Sequence, residues 1–283
     1  MKNTVVLCPN PARDINLACT LQAKALLEAG GYNVLVAPIY EENDILPVEV
    51  ISLDAIPNDA SLMVTFGGDG TILRLAPLFK SVSVPLVGVN LGHKGFLAEL
   101  DADQLDLLVK AAAGEYPILE RSMLDVDLIR DGELICRDIA LNDAVISGVV
   151  QNIRLTALAS GERIISYSGD GLIVSTPTGS TAYSMAAGGP IVEPEAQNLI
   201  LTPICAHNLA VRSIILEPNR RVTVRVSDMI DKKAVLSIDG RNILDLQEGD
   251  EIIVTRSERV LPTVRFGIHG YYETIFTKLG EKI

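Results

Sequence analysis

Leu62-Met63-Val64-Thr65-Phe66-Gly67-Gly68-Asp69-Gly70-Thr71-Ile72-Leu73-Arg74-Leu75 is the stretch on which the reading of this chain turns. A β-prone apolar run, 62–66, stops at glycines set around one carboxylate, and a second apolar pattern starts at Ile72. The spacing predicts a strand, a glycine turn and a helix. In open α/β sheets ligands bind beyond the carboxyl ends of strands, and 67–70 stands at such an end. Glycine lets a ligand approach the backbone closely, and the free N–H groups of a helix start favour an anion such as phosphate. Asp69 does not fit that picture at once. A carboxylate beside phosphate repels it, unless the carboxylate holds a metal or takes a proton from a nucleophile. The plain alternative is a simple turn in which Asp69 caps the helix. Arg74, one turn further on, either reaches back to phosphates or is a solvated surface charge.

The pattern around this stretch repeats. Strand-like runs at 4–7, 33–39, 62–66 and 85–90 alternate with helical spacing at 12–29 and at 104–113, the second started by Asp101 and ended by Gly114. Near-continuous apolar strands between helices predict a mostly parallel, open sheet covered on both faces. Further along, Leu124, Val126 and Leu128 alternate with Asp125 and Asp127, a period of two. Short β-rich runs follow at 153–158, 164–167, 213–216, 222–226, 234–238 and 251–255, punctuated by turn pairs such as Asp131-Gly132, Ser160-Gly161 and Asp239-Gly240. These predict an all-β, sandwich-like second domain. A short helix is expected at 271–279, and the acidic stretch 40–59 reads as a solvated connection.

The chain has 283 residues, 48% of them apolar, no Trp, and a net charge of −12. That length is enough for one large or two ordinary domains. The charge repels phosphate backbones, so nucleic acid is not an expected partner, and an anionic substrate must be met by local donors. No apolar window approaches the ~18 residues of a membrane span, and the N-terminal apolar stretch is too short for a signal peptide, so no membrane partner is expected and the expected compartment is the cytoplasm. Cys8, Cys19, Cys136 and Cys205 are dispersed, as are His93, His207 and His269. The cysteines read as small buried hydrophobes, His93 and His269 as structural, and a zinc site has little support. There is no G-x-x-x-x-G-K-[ST] and no G-x-G-x-x-G, which removes the P-loop and the standard dinucleotide fold.

Three further segments carry chemistry. Asp170-Gly171 leads an apolar strand into Ser175-Thr176-Pro177-Thr178-Gly179-Ser180-Thr181-Ala182-Tyr183-Ser184-Met185-Ala186-Ala187-Gly188-Gly189-Pro190. Hydroxyls and helix N–H groups there suit phosphate or ribose oxygens, Ser180 or Thr181 is placed to cap a short helix, and Tyr183 offers a stacking face. The alternative is a decorated strand-to-helix turn. Asn142-Asp143 interrupts apolar sequence: the Asp could accept from ribose hydroxyls and the Asn read an adenine edge, or the pair could be a solvated bulge. Asp239-Gly240, taken alone, is a hairpin turn.

Together with Gly88-Val89-Asn90-Leu91-Gly92 and Gly95-Phe96-Leu97, these segments make the chain resemble the NAD kinases over most of its length, and the run 176–189 is the specific part. The 67–71 loop alone is shared with diacylglycerol, sphingosine and phosphofructo-kinases. The resemblance implies an α/β nucleotide-binding domain over 1–118, with 262–283 returning to it, a β-rich NAD-binding domain over 119–261, and a site between them. It implies that Asp69 is the general base for the 2′-hydroxyl of the adenosine ribose, and that Gly67, Gly68, Gly70 and Thr71 hold the donor phosphates. With Asp69, Gly70 and Arg74, the nucleotide contacts would be Asn142, Asp143, Asp170, Thr181, Ala182, Tyr183, Ser184, Met185 and Ala186. The substrates would be NAD and ATP, or polyphosphate in place of ATP, with Mg²⁺ or another divalent cation whose protein ligands are not specified. A homodimer or homotetramer with a shared NAD site is implied, Asp170 acting across the interface. Met185-Ala186 and Arg241 stand where relatives vary. Two other readings remain: a lipid kinase, against which the run 176–189 argues, and a non-catalytic NAD or NADP sensor.

Overall fold

The computed structural model describes residues 3–39, 46–92, 95–268 and 270–280. The chain forms two compact units, Met1–Glu120 with Leu261–Ile283, and Arg121–Val260.

The first unit is built on β1 (Thr4–Pro9), α1 (Ala18–Ala29), β2 (Asn33–Val36), β3 (Leu62–Gly67), α2 (Asp69–Leu75), β4 (Leu86–Asn90), β5 (Leu100–Asp101) and α3 (Leu107–Ala112). The strands pair in parallel in the order β5-β4-β3-β1-β2, with Val5 opposite Leu62 and Met63 opposite Leu86. Such a sheet is buried on both faces, and β1, β3 and β4 are mostly apolar for that reason. Val5, Leu7, Leu27, Leu62, Phe66, Val87 and Leu108 share one core. The helix expected over 12–29 begins later than its apolar spacing indicates. Asn16 and Leu17 are left-handed (φ 54° and 53°), which separates a 3₁₀ turn at Ile15–Leu17 from α1. The helix expected from Asp101 also starts late, at Leu107. Gln104 takes the Asp101 N–H on its side-chain oxygen at 2.9 Å and gives its own N–H to the Asp101 carbonyl at 3.1 Å, so this segment is a turn. The regular part of β2 ends at Val36, before Pro38. A helix spans Tyr271–Gly280. Of the acidic connection, 40–45 lie outside the described residues, as do His93 and His269; the rest holds one 3₁₀ turn, Leu53–Ala55.

The second unit is antiparallel. Its strands are β6 (Ile118–Arg130), β7 (Glu133–Ala140), β8 (Asp143–Gly148), β9 (Ile153–Ala159), β10 (Glu162–Gly169), β11 (Gly171–Ser175), β12 (Leu199–Ile204), β13 (Ile214–Leu216), β14 (Val222–Ser227), β15 (Ala234–Ile238), β16 (Arg241–Leu246) and β17 (Glu251–Val264), with one short helix, α4 (Tyr183–Ala186). One sheet runs β13-β12-β11-β8-β15-β16. Facing it, β9 lies between β10 and β14, β14 pairs β17, and β6 and β7 form a hairpin. Leu172 and Leu236 from the first sheet and Leu155, Val224 and Ile252 from the second bury one another in a single core. The fold class is therefore an α/β unit with a mostly parallel sheet and a β-sandwich. The hairpin pairs turn tightly because both residues are left-handed: Asp131 and Gly132 at φ 51° and 82°, Asp239 and Gly240 at 49° and 69°. β7 and β12 are strands that the sequence reading passes over. Cys136-Arg137-Asp138 interrupts the first and Pro203 sits inside the second.

Candidate functional site

The glycine turn lies where β3 meets α2. Gly68 stands at the head of α2 in extended backbone, and its N–H is received by the Thr71 hydroxyl at 3.3 Å, so the cap comes from Thr71 and not from Asp69. The Asn10 side-chain amide also reaches that hydroxyl, at 3.4 Å. A Cβ on Gly67 would collide with Thr71 Oγ1, so glycine is needed for this close turn. The turn borders a cavity of about 460 Å³ lined by Asn10, Arg13, Gly67, Gly68, Gly70, Thr71, Arg74, Asn90, Leu91 and Gly92. Two guanidinium groups at an acidic protein's cavity are the local donors an anion requires. Arg74, in the last turn of α2, is one of them. Arg13 is the other, and the sequence reading missed it. It sits in a turn closed by the Arg13 and Asp14 N–H groups on the Asn10 carbonyl, at 2.9 and 2.8 Å. Among the described residues the buried Asn90 Oδ1 has no hydrogen-bond partner.

The Asp69 carboxylate is held by backbone. Phe96 N–H donates to Oδ2 at 2.6 Å, while Leu97 and Ala98 N–H donate to Oδ1 at 3.0 and 3.4 Å. A carboxylate offers about four lone-pair positions, so the donors among the described residues leave one on Oδ2. The approach is close enough that a Cβ on Gly95 would overlap Asp69 Oδ1. Gly95 is thus glycine because Asp69 occupies the space.

In the second unit, Asn142-Asp143 is not a solvated bulge. Asp143 is 5% exposed and opens β8 opposite Ser175. Its carboxyl is pushed up to about 7, first by burial and then by the negative charge of Asp239. Burial also raises the pKa of Asp239, while N–H bonds from Leu141, Asn142 and Asp143 and the Arg241 charge pull it back toward ionisation. Burial is thus the first cause that raises both carboxyls of the pair.

The hydroxyl-rich run is more internal than its composition indicates. Thr176 Oγ1 donates to the Leu141 carbonyl at 2.6 Å and receives the Gly179 N–H at 3.0 Å. Ser180 Oγ both donates to the Val192 carbonyl and receives its N–H, each at 3.1 Å. Thr181 Oγ1 donates to the Thr178 carbonyl at 3.2 Å, and Ser184 Oγ pairs with Thr202 Oγ1 at 2.7 Å. Neither Ser180 nor Thr181 caps a helix: 178–181 is itself a 3₁₀ turn, and α4 starts after Ala182 with no side-chain cap. The outward groups are Tyr183, 47% exposed, and Ala186, with Ala182 and Met185 half-buried. Asp170 is exposed between β10 and β11. It hydrogen-bonds the Cys205 thiol and pushes that thiol's pKa up. Cys205 is exposed, against the expectation of a buried hydrophobe, and Cys19 and Cys136 are half-buried. Among the described residues no group of three or more His, Cys, Asp or Glu could hold a metal by itself.

Comparison with known proteins adds three findings. The chain matches the model of the ATP-NAD kinase N-terminal domain over residues 16–116 and that of the C-terminal domain over 141–266. It is 35% identical to the NAD kinase of Lachnoclostridium phytofermentans, covering 96% of this chain and 97% of that one, and 39% identical to the NAD kinase of Desulforamulus reducens, covering 85% of each. Among solved structures it resembles yeast NADH kinase complexed with NADH (TM-score 0.83, 26% identity, 99% of this chain and 88% of that one), and shares the fold of an NAD kinase from Archaeoglobus fulgidus in complex with ATP (TM-score 0.74, 24% identity, 99% and 100%).

Proposed function

This chain belongs to the NAD kinase family, and we propose that it transfers the γ-phosphoryl group of ATP to the 2′-hydroxyl of the adenosine ribose of NAD, giving NADP and ADP. The observation that carries this reading is the match in both halves of the chain, 16–116 and 141–266. The lipid-kinase alternative rested on the 67–71 loop alone, whereas the family match extends through 141–266.

The first unit, including 1–118 and 262–283, takes the donor. Its cavity is lined by Gly67, Gly68, Gly70 and Thr71 and by Arg13 and Arg74, whose guanidinium groups would meet the ATP phosphates. In the second unit, Asn142 and Asp143 take the adenine and ribose of NAD, with Asp170 and the segment Thr181, Ala182, Tyr183, Ser184, Met185 and Ala186 completing the pocket. Asp69 takes the proton. As the ribose oxygen bonds the γ-phosphorus, the bond from that phosphorus to the β,γ-bridging oxygen breaks, ADP leaves, and the hydroxyl proton passes to the remaining lone pair of Asp69 Oδ2. The three N–H bonds from 96–98 fix the direction of that lone pair. Phosphoryl transfer asks for positioning and charge neutralisation more than for covalent work, which is what these groups supply.

A divalent cation such as Mg²⁺ fits this arrangement. Mg²⁺ at phosphoryl-transfer sites is held mainly by substrate phosphates and water with one or two carboxylates, so the absence of an all-protein cage among the described residues is compatible with it. Asp69 is the carboxylate beside the donor loop, and the cation would supply charge neutralisation on the phosphates. Polyphosphate is the alternative donor, and the same cavity donors would take it. A second copy of the chain completes the NAD pocket in a homodimer or homotetramer, with exposed Asp170 as the residue that reaches across. The place of action is the cytoplasm; among the described residues no helix is long and apolar enough to cross a membrane.

The test is direct. Purified protein with NAD, ATP and Mg²⁺ should form NADP, followed with an NADP-specific dehydrogenase. NAD binding without NADP formation from ATP or polyphosphate would replace the kinase with a sensor.

A further inference from the structure

Asp239 has more bonds than a hairpin turn needs. At φ 49°, followed by Gly240 at 69°, it occupies a two-residue turn between β15 and β16 for which Asn-Gly serves as well as Asp-Gly. Such turns normally point their side chain at water. Here the Asp239 side chain is wholly buried, and its oxygens receive the N–H groups of Leu141 and Asn142 at 2.7 Å each and of Asp143 at 3.1 Å. The other edge of the same segment is held too. Asp239 N–H donates to the Asp143 carbonyl at 3.0 Å, Thr176 N–H to the Asn142 carbonyl at 2.9 Å, and Thr176 Oγ1 to the Leu141 carbonyl at 2.6 Å. Every backbone N–H and C=O of Leu141, Asn142 and Asp143 is thus engaged by Asp239 or Thr176. Gly179 packs so closely on Asn142 that a Cβ there would overlap the Asn142 carbonyl.

The charge is braced from behind. Arg241 donates to Asp138 Oδ2 at 3.0 Å and to the Ile139 carbonyl at 2.7 Å, and its guanidinium lies 3.6 Å from Asp239 Oδ2. Asp138 Oδ1 in turn receives the Ile139 N–H at 2.8 Å. A buried carboxylate is costly without such partners, and a turn alone does not require one. We propose that Asp239, braced by Arg241 and Asp138, is a positioning group that fixes the backbone of Asn142-Asp143 and so aims their side chains at the acceptor nucleotide. The assignment of NAD to Asn142 and Asp143 is the reading given under Proposed function, and the inference rests on it.

Asp239→Asn is the informative substitution, because Asn keeps the turn geometry and the volume. It replaces one acceptor oxygen with an NH₂ group that faces N–H donors. Two measurements are made on wild type and variant: amide hydrogen exchange at 141–143, and steady-state NADP formation with NAD and ATP varied separately. The expected result is exchange at 141–143 at least 10-fold faster, on the scale of losing one charge-assisted hydrogen bond. KM for NAD should rise by about the same factor while KM for ATP stays within about 2-fold. Unchanged exchange overturns the proposal, as do KM values for NAD and ATP that rise together. Should Asp239→Asn not fold, Arg241→Gln removes only the brace: a several-fold rise in KM for NAD alone supports the proposal, and wild-type KM values overturn it. A wild type that makes no NADP would defeat the functional reading instead, and hydrogen exchange still reports separately on the clamp.

Discussion

Asp143 is the residue whose environment has the most direct consequence for the folded state. Its pKa is raised to about 7, mainly by burial and secondly by Asp239, against an unfolded value near 4. A carboxyl with a raised folded pKa contributes stability that is complete below the unfolded value and is lost as pH rises through the folded one. Above pH 7 the wild type therefore carries a buried charge it must ionise, and Asp143→Asn does not. The melting temperature of Asp143→Asn relative to wild type should become more favourable by on the order of 5 °C between pH 5 and pH 8. Scanning calorimetry at both pH values checks it. A difference that does not change with pH would show that Asp143 keeps an ordinary pKa. Asp143 was visible in the sequence as a polar residue inside an apolar run, but its partner was not. Asp239 lies 97 residues from Asn142, whose N–H it receives, and reads locally as nothing more than a turn.

At the scale of the element, α1 shows how a helix start can be built by a residue outside it. The two left-handed residues before the helix turn the chain so that Asp14, 3% exposed, receives the N–H groups of Cys19 and Thr20 at 2.9 Å each and the Thr20 hydroxyl at 2.6 Å. Helical periodicity over 12–29 does not report this break, because left-handed residues cost only about 1–2 kcal/mol and a cap offsets that. Asp14→Ala should lower stability by about 1–3 kcal/mol, measured by urea unfolding, since it removes the cap and leaves buried donors unsatisfied. A loss under about 0.3 kcal/mol would mean that water or a neighbour replaces the cap. The element signals that did carry through were the strongest ones. β1, β3 and β4 are apolar because both faces are covered, whereas β12 was hidden by Pro203, which keeps its place in a strand only because proline is tolerated where no ladder N–H is required.

At the scale of the whole molecule, the net charge of −12 opposes anionic nucleotides, so binding depends on a few local cations. Arg74 was legible in the sequence from its distance to the glycine turn. Arg13 was not, because the turn at Asn10 brings it to the same cavity from a distant part of the chain. Removing one charge-assisted contact to a phosphate costs about 1.5–3 kcal/mol, so Arg13→Ala should raise KM for ATP by ~10-fold or more and leave KM for NAD within about 2-fold. A rise in KM for NAD instead would assign this cavity to the acceptor. The two-part fold was readable from the switch between 3.6-residue and two-residue periods, and the glycine turn from its place at a strand end. The internal bonds of the run 176–189 were not legible: composition reveals that hydroxyls are present, but only the fold shows that Thr176, Ser180, Thr181 and Ser184 bond within the protein.

We propose that Asp69 is the base as this chain phosphorylates NAD. The most direct measurement is the turnover rate of NADP formation from NAD and ATP with Mg²⁺, in wild type and in Asp69→Asn, with NAD binding measured on both. The wild type should form NADP, and the variant should keep NAD binding with kcat lower by ~10²–10⁴-fold. A variant that keeps more than about a tenth of the wild-type kcat would contradict the role of Asp69 as base, and a wild type that forms no NADP would contradict the function itself.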